Sequence, residues 1–401
     1  MKREEKSVAI IGAGPAGCIC ACSAQNNPNV SDVVLFDFAE PLHTLLYTGG
    51  GRCNLAYAEY DFKELAKFYP RGEKFLYSVF SRFSTADTID FFKKIGVETY
   101  TQDDLRIFPT SNSAKSVREK MLENLRACRF KKEKVVEIKK QEDKFLITTE
   151  NNEYCFDKVV LAIGGHAGFS LAKNLGHRII EPKPALTGLI SAENFKNIQG
   201  VSLKNVKAEI FSREKKFPPL QDDIIFTHEG ISGPLAYKIS SICAREEYSK
   251  ESPLSIKLNF VNNPPASDLS LLTFQGMLNA NPKKDVKNLV AELVPKSLAE
   301  YILGVNGIDL DVKCCNVNGK TRDLILKSLQ KFEITVISPA KDGEIVTSGG
   351  VCLDEINPKT MQSKLVEGLY FCGEVIDADG LCGGFNLQNC WSTGIIAGIS
   401  A

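Results

Sequence analysis

The chain opens on an unbroken apolar run, SVAIIG at 7–12, then small and apolar residues to about 26, then a second apolar run, VVLFD at 33–37. Short runs without polar alternation, bounded by glycine, describe strands buried on both faces. The opening therefore predicts strand, helix over 13–26, and a second strand, the start of a βαβ unit. Helical periodicity follows at about 61–69, 73–81 and 85–95, and AKSVREKMLENLRAC at 114–128 is amphipathic. KVVEI, KFLITTE and EYCFD, between 134 and 157, predict a small antiparallel meander. KVVLAIGG at 158–165 reads as a buried strand that ends in a glycine turn.

From about 187 the pattern changes to short alternating runs broken by proline and glycine, among them VKAEIF, DDIIFT and LSIKLNF, which predict a small β-barrel or sandwich. FVNNPPASD at 260–268 marks a boundary, and VKNLVAEL, KSLAEYIL and TRDLILKSLQKF then read as helices. FEITVIS at 332–338 is β-like and completes the barrel. From 345 a strand–turn–helix pattern returns: the apolar run Leu369 to Cys372, a glycine turn at Gly383 and Gly384, and a closing helix of small and apolar residues. The expected layout is α/β. A discontinuous nucleotide-binding domain occupies 1–187 and 345–401, an inserted β-barrel-like domain 188–264 and 331–344, and a nested helical domain 265–330.

Composition narrows the function classes. The 401 residues carry 49 Lys+Arg and 49 Asp+Glu, so net charge gives no general reason to expect a nucleic acid or an anionic membrane as partner. No apolar run is long enough to span a bilayer. The start, MKREEKSVAII, lacks the apolar core and cleavage region of a signal peptide, and the thirteen cysteines are an odd number without framework spacing. Both point to a cytoplasmic protein with reduced thiols.

The chemistry concentrates in glycine turns. Gly12-Ala13-Gly14-Pro15-Ala16-Gly17 matches GxGxxG, with a strand before it and a helix after it. In this pattern the first glycine allows the tight turn, the second a close approach of backbone to a pyrophosphate, and the third close packing of helix on strand. Asp37 lies 20 residues beyond Gly17 at the end of the second strand, where its carboxylate can accept from ribose hydroxyls. In TGGGRCN, Gly50 and Gly51 bring backbone close to a flat or anionic group. Arg52 offers a charged fork and Asn54 can bond a heterocycle edge. Cys53 is either a redox thiol or a small packing residue. Gly164 and Gly165 let the chain pass close to a ligand, and Val135 is either a backbone contact to adenine or plain core. At the other end, Gly373-Glu374 follows an apolar run and Gly383-Gly384-Phe385-Asn386 opens a helix, whose free N–H groups favour an electron-rich partner. Of the histidines His43, His166, His177 and His228, His228 in FTHEGISGP is the better candidate for an acid or base on the substrate side. Asp377 and Asp379 lack partner ligands at useful spacing, and Cys314-Cys315 lacks a Cys/His cluster, so no metal site is expected.

GAGPAG (12–17), TGGGRCN (48–54), FPTSNSAKSV (108–117), LAIGG (161–165), THEGISGP (227–234), NLVAELVPKSLAEYIL (288–303) and the run from VTSGGVCLDEINPKTMQSK through GLYFCGEVIDADGLCGGFNLQ (346–388) together resemble the YhiN-like or BaiN-like family of bacterial flavoproteins, also labelled the aminoacetone-oxidase family. The match covers nearly the whole chain in order. It implies a Rossmann-type FAD-binding domain of the two-dinucleotide-binding flavoprotein type, with an inserted β-barrel and a small helical domain. It also implies FAD contacts at Gly12 to Gly17, Asp37, Arg52 to Asn54, Gly373-Glu374 and Gly384 to Asn386. The chain departs from the family at Thr44, where a basic residue is usual, at Ala56-Tyr57, where Thr-Asn is usual, and at Phe385, where Tyr is usual. The expected function is FAD-dependent oxidation or reduction of a small organic molecule, with NAD(P)H as a transient electron donor. No second GxGxxG supplies a dedicated nicotinamide domain. The alternatives are an FAD-dependent protein of the tRNA-modification type and a flavin-binding module without turnover. No catalytic acid or base stands out; Cys53 and His228 are the candidates.

Overall fold

The computed structural model describes residues 5–165, 168–213, 215–261, 269–340 and 346–401. Most of the boundary expected at 260–268 lies outside them, as does His166. The chain divides into two compact units, 1–183 with 346–401, and 184–345.

The first unit is built on a five-stranded parallel sheet. Its order is Leu369–Phe371, Lys158–Leu161, β1 (Lys6–Ile11), β2 (Val30–Asp37) and Arg129–Lys132. Ile10 sits opposite Val160 on one side and Leu35 on the other. Both faces of the sheet are covered, which is why the central strands read as continuous apolar runs. Helix α1 (Pro15–Ala24) leaves β1 through Gly12 and Gly14. The closing helix Phe385–Ser400 packs on α1 at unusually short range. A methyl group added at Gly394 would lie 2.6 Å from the Ala16 carbonyl oxygen, and one at Gly398 would lie 2.4 Å from that of Cys20. Small residues on both helices let the backbones approach, and this accounts for Cys18, Cys20 and Cys22: all three are buried packing residues. Burial pushes the Cys22 thiol up to about 11.

The meander appears as Val135–Gln141, Lys144–Thr149 and Glu153–Phe156. It contributes Phe156, whose ring meets Phe36 edge-on at 5.9 Å. The helices expected between 61 and 128 form as Phe62–Ala66, Glu73–Phe80, Thr85–Lys94 and Ala114–Asn124. The third carries a capping box in which Ser84 and Asp87 bond each other's backbone, the reciprocal arrangement that satisfies free N–H groups at a helix start.

The second unit contains a closed six-stranded antiparallel barrel. Its strands run in the order Ser202–Ser212, Leu220–Phe226, Gly230–Ser232, Leu189–Ser191, Phe332–Pro339 and Leu254–Asn259, and the last pairs with the first. FEITVIS takes the place its alternation predicts, with Ile334 opposite Ile256. The helices Leu271–Ala280, Val286–Val290, Lys296–Val305 and Gly319–Gln330 share one apolar cluster with the barrel, joining Phe274, Ile302 and Leu329 to Phe226, Phe260 and Phe332. No helix among the described residues is long and apolar enough to cross a membrane.

Candidate functional site: a cradle at the C-terminal edge of the parallel sheet

Because the strands of the first sheet are parallel and adjacent, their C-terminal ends share one edge. Residues far apart in sequence therefore meet there: Gly12 after β1, Asp37 at the end of β2, Gly164 and Gly165 after Lys158–Leu161, and Gly373 and Glu374 after Leu369–Phe371. Open α/β sheets bind their ligands in the crevice at this edge.

The first turn is tied together tightly. Gly12 has φ +107°, and a Cβ there would lie 2.2 Å from the Ala162 carbonyl oxygen. A Cβ at Gly17 would lie 1.8 Å from the Gly12 oxygen. Gly14 differs from both, because a Cβ at that position meets nothing within 4 Å. Two glycines are thus required by the protein's own packing, and the one expected to face a pyrophosphate opens onto free space. Asp37 accepts from the Ala13 N–H at 2.7 Å and from the Ala39 N–H at 2.9 Å. Its carboxylate is held in place by the turn, with lone pairs remaining for hydroxyl donors.

Glu374 is similarly anchored, since its Oε1 accepts from the Thr347 N–H at 2.6 Å. A Cβ at Gly165 would lie 2.4 Å from Thr347 Oγ1 and 2.8 Å from Glu374 Oε1. Gly165 thus permits contact among three separate segments, while Gly164, with φ +73°, faces open space. Gly373 donates to Thr393 Oγ1 at 2.9 Å and lies against Ala16, where a Cβ would come to 2.5 Å. Thr347 and Thr393 carry no local signal in the sequence, and only their partners reveal them.

The TGGGRCN segment closes a second part of the cradle. Thr44–Gly51 is a 3-10 turn kinked at Thr48 to Gly50. Gly50 faces open space, and Gly51 has φ +84°. The Arg52 guanidinium lies 4.2 Å from the centre of the Phe108 ring, and its Nε donates to the Gly49 oxygen. Asn54 is 8% exposed, yet its Oδ1 has no hydrogen-bond partner among the described residues. That atom lies 2.9 Å from where a Cβ on Gly384 would stand. An unpaired buried acceptor costs roughly 1–3 kcal/mol, and a ligand N–H donor at the start of the closing helix would remove the penalty. Gly384 is itself the N-cap, with φ +99°, so the first N–H groups of a 16-residue helix face the same place as Asn54.

Other expected residues are committed elsewhere. Phe385 is buried, with its ring stacked on Phe68 at 4.6 Å and against Tyr57 at 4.7 Å, and its carbonyl accepts from the Tyr69 hydroxyl at 2.6 Å. Asn386 bonds Gly380 reciprocally, with both distances 2.9 Å, and braces the turn. Asp379 is 1% exposed and held by the Arg71 guanidinium through Nε and Nη2, a pairing the sequence did not suggest. Val135 opens the meander opposite Thr149. Cys53 is fully buried, with φ +63°, and burial pushes its thiol up to about 12. Such a thiol stays protonated at neutral pH, so its chemistry is that of a packing residue. His228 belongs to the second unit, is exposed, and has Nε2 3.5 Å from Glu229. It lies on an exposed bend, and no hydrogen bond holds its ring among the described residues.

The cradle thus offers a helix N-terminus with an open glycine, an oriented carboxylate, and, at its other end, an orphaned amide oxygen beside a second helix N-terminus. These parts fit a dinucleotide with a heterocyclic end.

Comparison with known proteins agrees with this. A 3-dehydro-bile acid delta(4,6)-reductase of Clostridium scindens is 27% identical over 98% of both chains. A ribosomal RNA dihydrouridine synthase of Escherichia coli K12 is 27% identical over 96% of this chain and 95% of the relative. Among solved structures, the open conformation of a flavocytochrome c3 fumarate reductase aligns with a TM-score of 0.50 at 16% identity, covering 99% of this chain and 78% of that one, a likeness of fold. The family model described as HI0933-like protein Rossmann domain matches residues 6–400, and the chain belongs to that family.

Proposed function

We propose that this chain, an FAD-dependent oxidoreductase, reduces a carbon–carbon double bond conjugated to a carbonyl group in an organic substrate. The observation that carries the proposal is the pairing of two full-length relatives. One is named for reducing a dehydro-bile acid at its delta(4,6) positions, the other for making dihydrouridine. Both names describe saturation of an unsaturated carbonyl system, and the substrates share little else.

FAD, when bound, supplies the two-electron carrier. The chain's residues do the rest. Gly12 to Gly17, with Ala13, Pro15 and Ala16 shaping the turn, present N–H groups to the pyrophosphate. Asp37 and Glu374 accept from hydroxyls, and both are oriented by backbone donors. Gly50, Gly51 and Gly164 would leave room for the cofactor, with Arg52 beside it, and Val135 would offer its backbone to the adenine. Asn54 would accept from the heterocycle edge, and the N–H groups after Gly383 and Gly384 would favour negative charge there. NAD(P)H is the proposed donor of the two electrons. The saturated product gains two electrons and two protons, the second proton coming from solvent or from a group on the substrate side.

The test is anaerobic stopped-flow. Protein reduced with NADPH or dithionite is mixed with a 4-ene-3-ketone, with its saturated analogue, or with a uridine-containing ribosomal RNA fragment. Reoxidation of the flavin by the enone alone, at least tenfold above the saturated ketone, supports a small-molecule reductase. Reoxidation by the RNA alone assigns a nucleic-acid substrate with the same bond chemistry. Equal rates with saturated and unsaturated ketones and none with RNA refute the proposal.

A further inference from the structure

Arg52 is held in the cradle from two sides. Its guanidinium lies 4.2 Å from the centre of the Phe108 ring, and its Nε donates to the Gly49 oxygen at 3.3 Å. The terminal nitrogens have no partner among the described residues, so neutral groups fix the charge and its fork stays open. Phe108 is fully buried in the strand Arg106–Pro109, and its edge lies beside Asn54. From the point where a Cβ on Gly49 would stand, Phe108 Cε1 is 3.0 Å away and Asn54 Cβ 3.2 Å. The same strand holds the next stretch of chain: Leu55 donates to the Ile107 oxygen at 2.9 Å, and Ala56 stands opposite Ile107. The Ala56 oxygen in turn lies 2.6 Å from where a Cβ on Gly384 would stand. One strand thus ties the open charge to the orphaned Asn54 amide and, through Ala56, to the N-cap of the closing helix.

A guanidinium on an aromatic face keeps its charge while its plane is set by the ring. With no carboxylate to neutralise it, that charge favours whichever state of a neighbouring ligand is more negative. A pyrophosphate is equally negative in both redox states of a flavin, so an arginine on it would bind both alike. A ring that gains negative charge on reduction would be held more tightly when reduced, and its potential would rise.

We propose that Arg52 serves the ring end of the flavin and raises its reduction potential, and that Phe108 is the positioning residue that keeps the guanidinium there. This rests on FAD lying in the cradle with its ring end at Asn54 and Gly384.

The experiment measures flavin potentials by equilibration with a reference dye, and FAD affinity by fluorescence, in FAD-loaded wild type, Arg52→Gln, Arg52→Lys, Phe108→Leu and the Arg52→Gln/Phe108→Leu double variant. In Arg52→Gln the reduced-to-oxidised ratio at fixed dye potential should fall at least tenfold, about 30 mV for a two-electron couple. Phe108→Leu leaves the charge but removes its platform, so the ratio should fall at least threefold in the same direction. If Phe108 acts through Arg52, the two effects are not additive, and the double variant should lie within twofold of Arg52→Gln. Weaker FAD binding in Arg52→Gln with an unmoved potential would place the guanidinium on the pyrophosphate and overturn the proposal. An unmoved potential in Phe108→Leu, or shifts that add in the double variant, would overturn the role of Phe108. If Phe108→Leu fails to fold, Arg52→Lys decides: it keeps the charge and loses the planar fork, so its ratio should fall at least threefold, and a wild-type potential overturns the stack. No organic substrate enters the measurement, so the outcome is independent of which bond the flavin reduces. Wild-type protein that binds no FAD would refute the placement of the cofactor instead.

Discussion

Gly14 and Gly17 stand three residues apart in one motif, yet the structure assigns them different reasons for being glycine, and alanine separates the two. Gly14 has φ −74° and ψ −173°, which any residue adopts, and a methyl group there meets nothing within 4 Å. Gly14→Ala should therefore leave the stability of the cofactor-free protein within about 0.5 kcal/mol of wild type. It should weaken FAD because the methyl occupies the space through which backbone approaches the pyrophosphate. Loss of one N–H bond to a charged group is worth roughly 1.5–3 kcal/mol, or about 10- to 150-fold in Kd. Gly17→Ala has the opposite profile. Alanine gains about 1 kcal/mol of helix propensity, but its Cβ would stand 1.8 Å from the Gly12 oxygen and 3.3 Å from Ala162 Cβ. Forcing α1 off the strand costs about 1–3 kcal/mol or more, as overpacking does, and the collision is with backbone, so the upper end applies. Denaturant titration of both cofactor-free variants, with FAD titration by fluorescence quenching, gives the two numbers. Wild-type FAD affinity in Gly14→Ala, or a loss of cofactor-free stability equal to that of Gly17→Ala, would show that Gly14 faces protein and not cofactor.

Three further outcomes are expected. Trp391, the only tryptophan, is fully buried, donates to the Leu55 carbonyl at 2.9 Å and meets Phe92 edge-on; Trp391→Phe should lose about 2–4 kcal/mol from the orphaned carbonyl and the space left unfilled, measured by urea unfolding followed by circular dichroism. His177 is buried between Glu355 at 2.9 Å and Ser363 at 3.0 Å, and burial, outweighing the Glu355 hydrogen bond, holds its imidazole below the usual histidine value. The unfolded chain therefore takes up a proton near pH 6.5 while the folded protein does not, so stability is complete above about pH 6.5 and falls as pH drops toward the folded value; urea midpoints between pH 7.5 and 5.5 should show this decline in wild type and a shallower one in His177→Gln. Finally, the Cys53 thiol, pushed up to about 12 by burial, should resist iodoacetamide in native protein, and Cys53→Ser should keep flavin reduction within about threefold of wild type; rapid native alkylation at Cys53 by mass spectrometry would contradict its burial.

The cradle's outline was legible because it depends on local backbone requirements. A GxGxxG after an apolar strand, an acid at the end of the next strand and a glycine pair before a final helix each satisfy a condition imposed within a few residues. The barrel was legible through its period-two alternation, down to the closing strand at 332–338. What the sequence concealed was which side chains remain available. Asn386 reads as a ligand contact but spends its amide on Gly380, and nothing in the sequence marks Asp379 as the partner of Arg71. Cys53 sits beside Arg52 in a glycine-rich turn and reads as a redox candidate, but burial pushes its thiol up.

By itself, then, the sequence determined the main strand and helix runs, the barrel and the glycine turn after β1, because periodicity and glycine placement act over short stretches of chain. The tertiary structure alone decided how these turns become one site. Parallel pairing of four strands gathers Gly12, Asp37, Gly165 and Glu374 at one edge, and the same packing consumes some polar groups while leaving Asn54 Oδ1 without a partner among the described residues. Hydrogen-bond satisfaction is settled by neighbours far away in the chain, 308 residues in the case of Arg71 and Asp379, and no local pattern encodes which neighbour arrives.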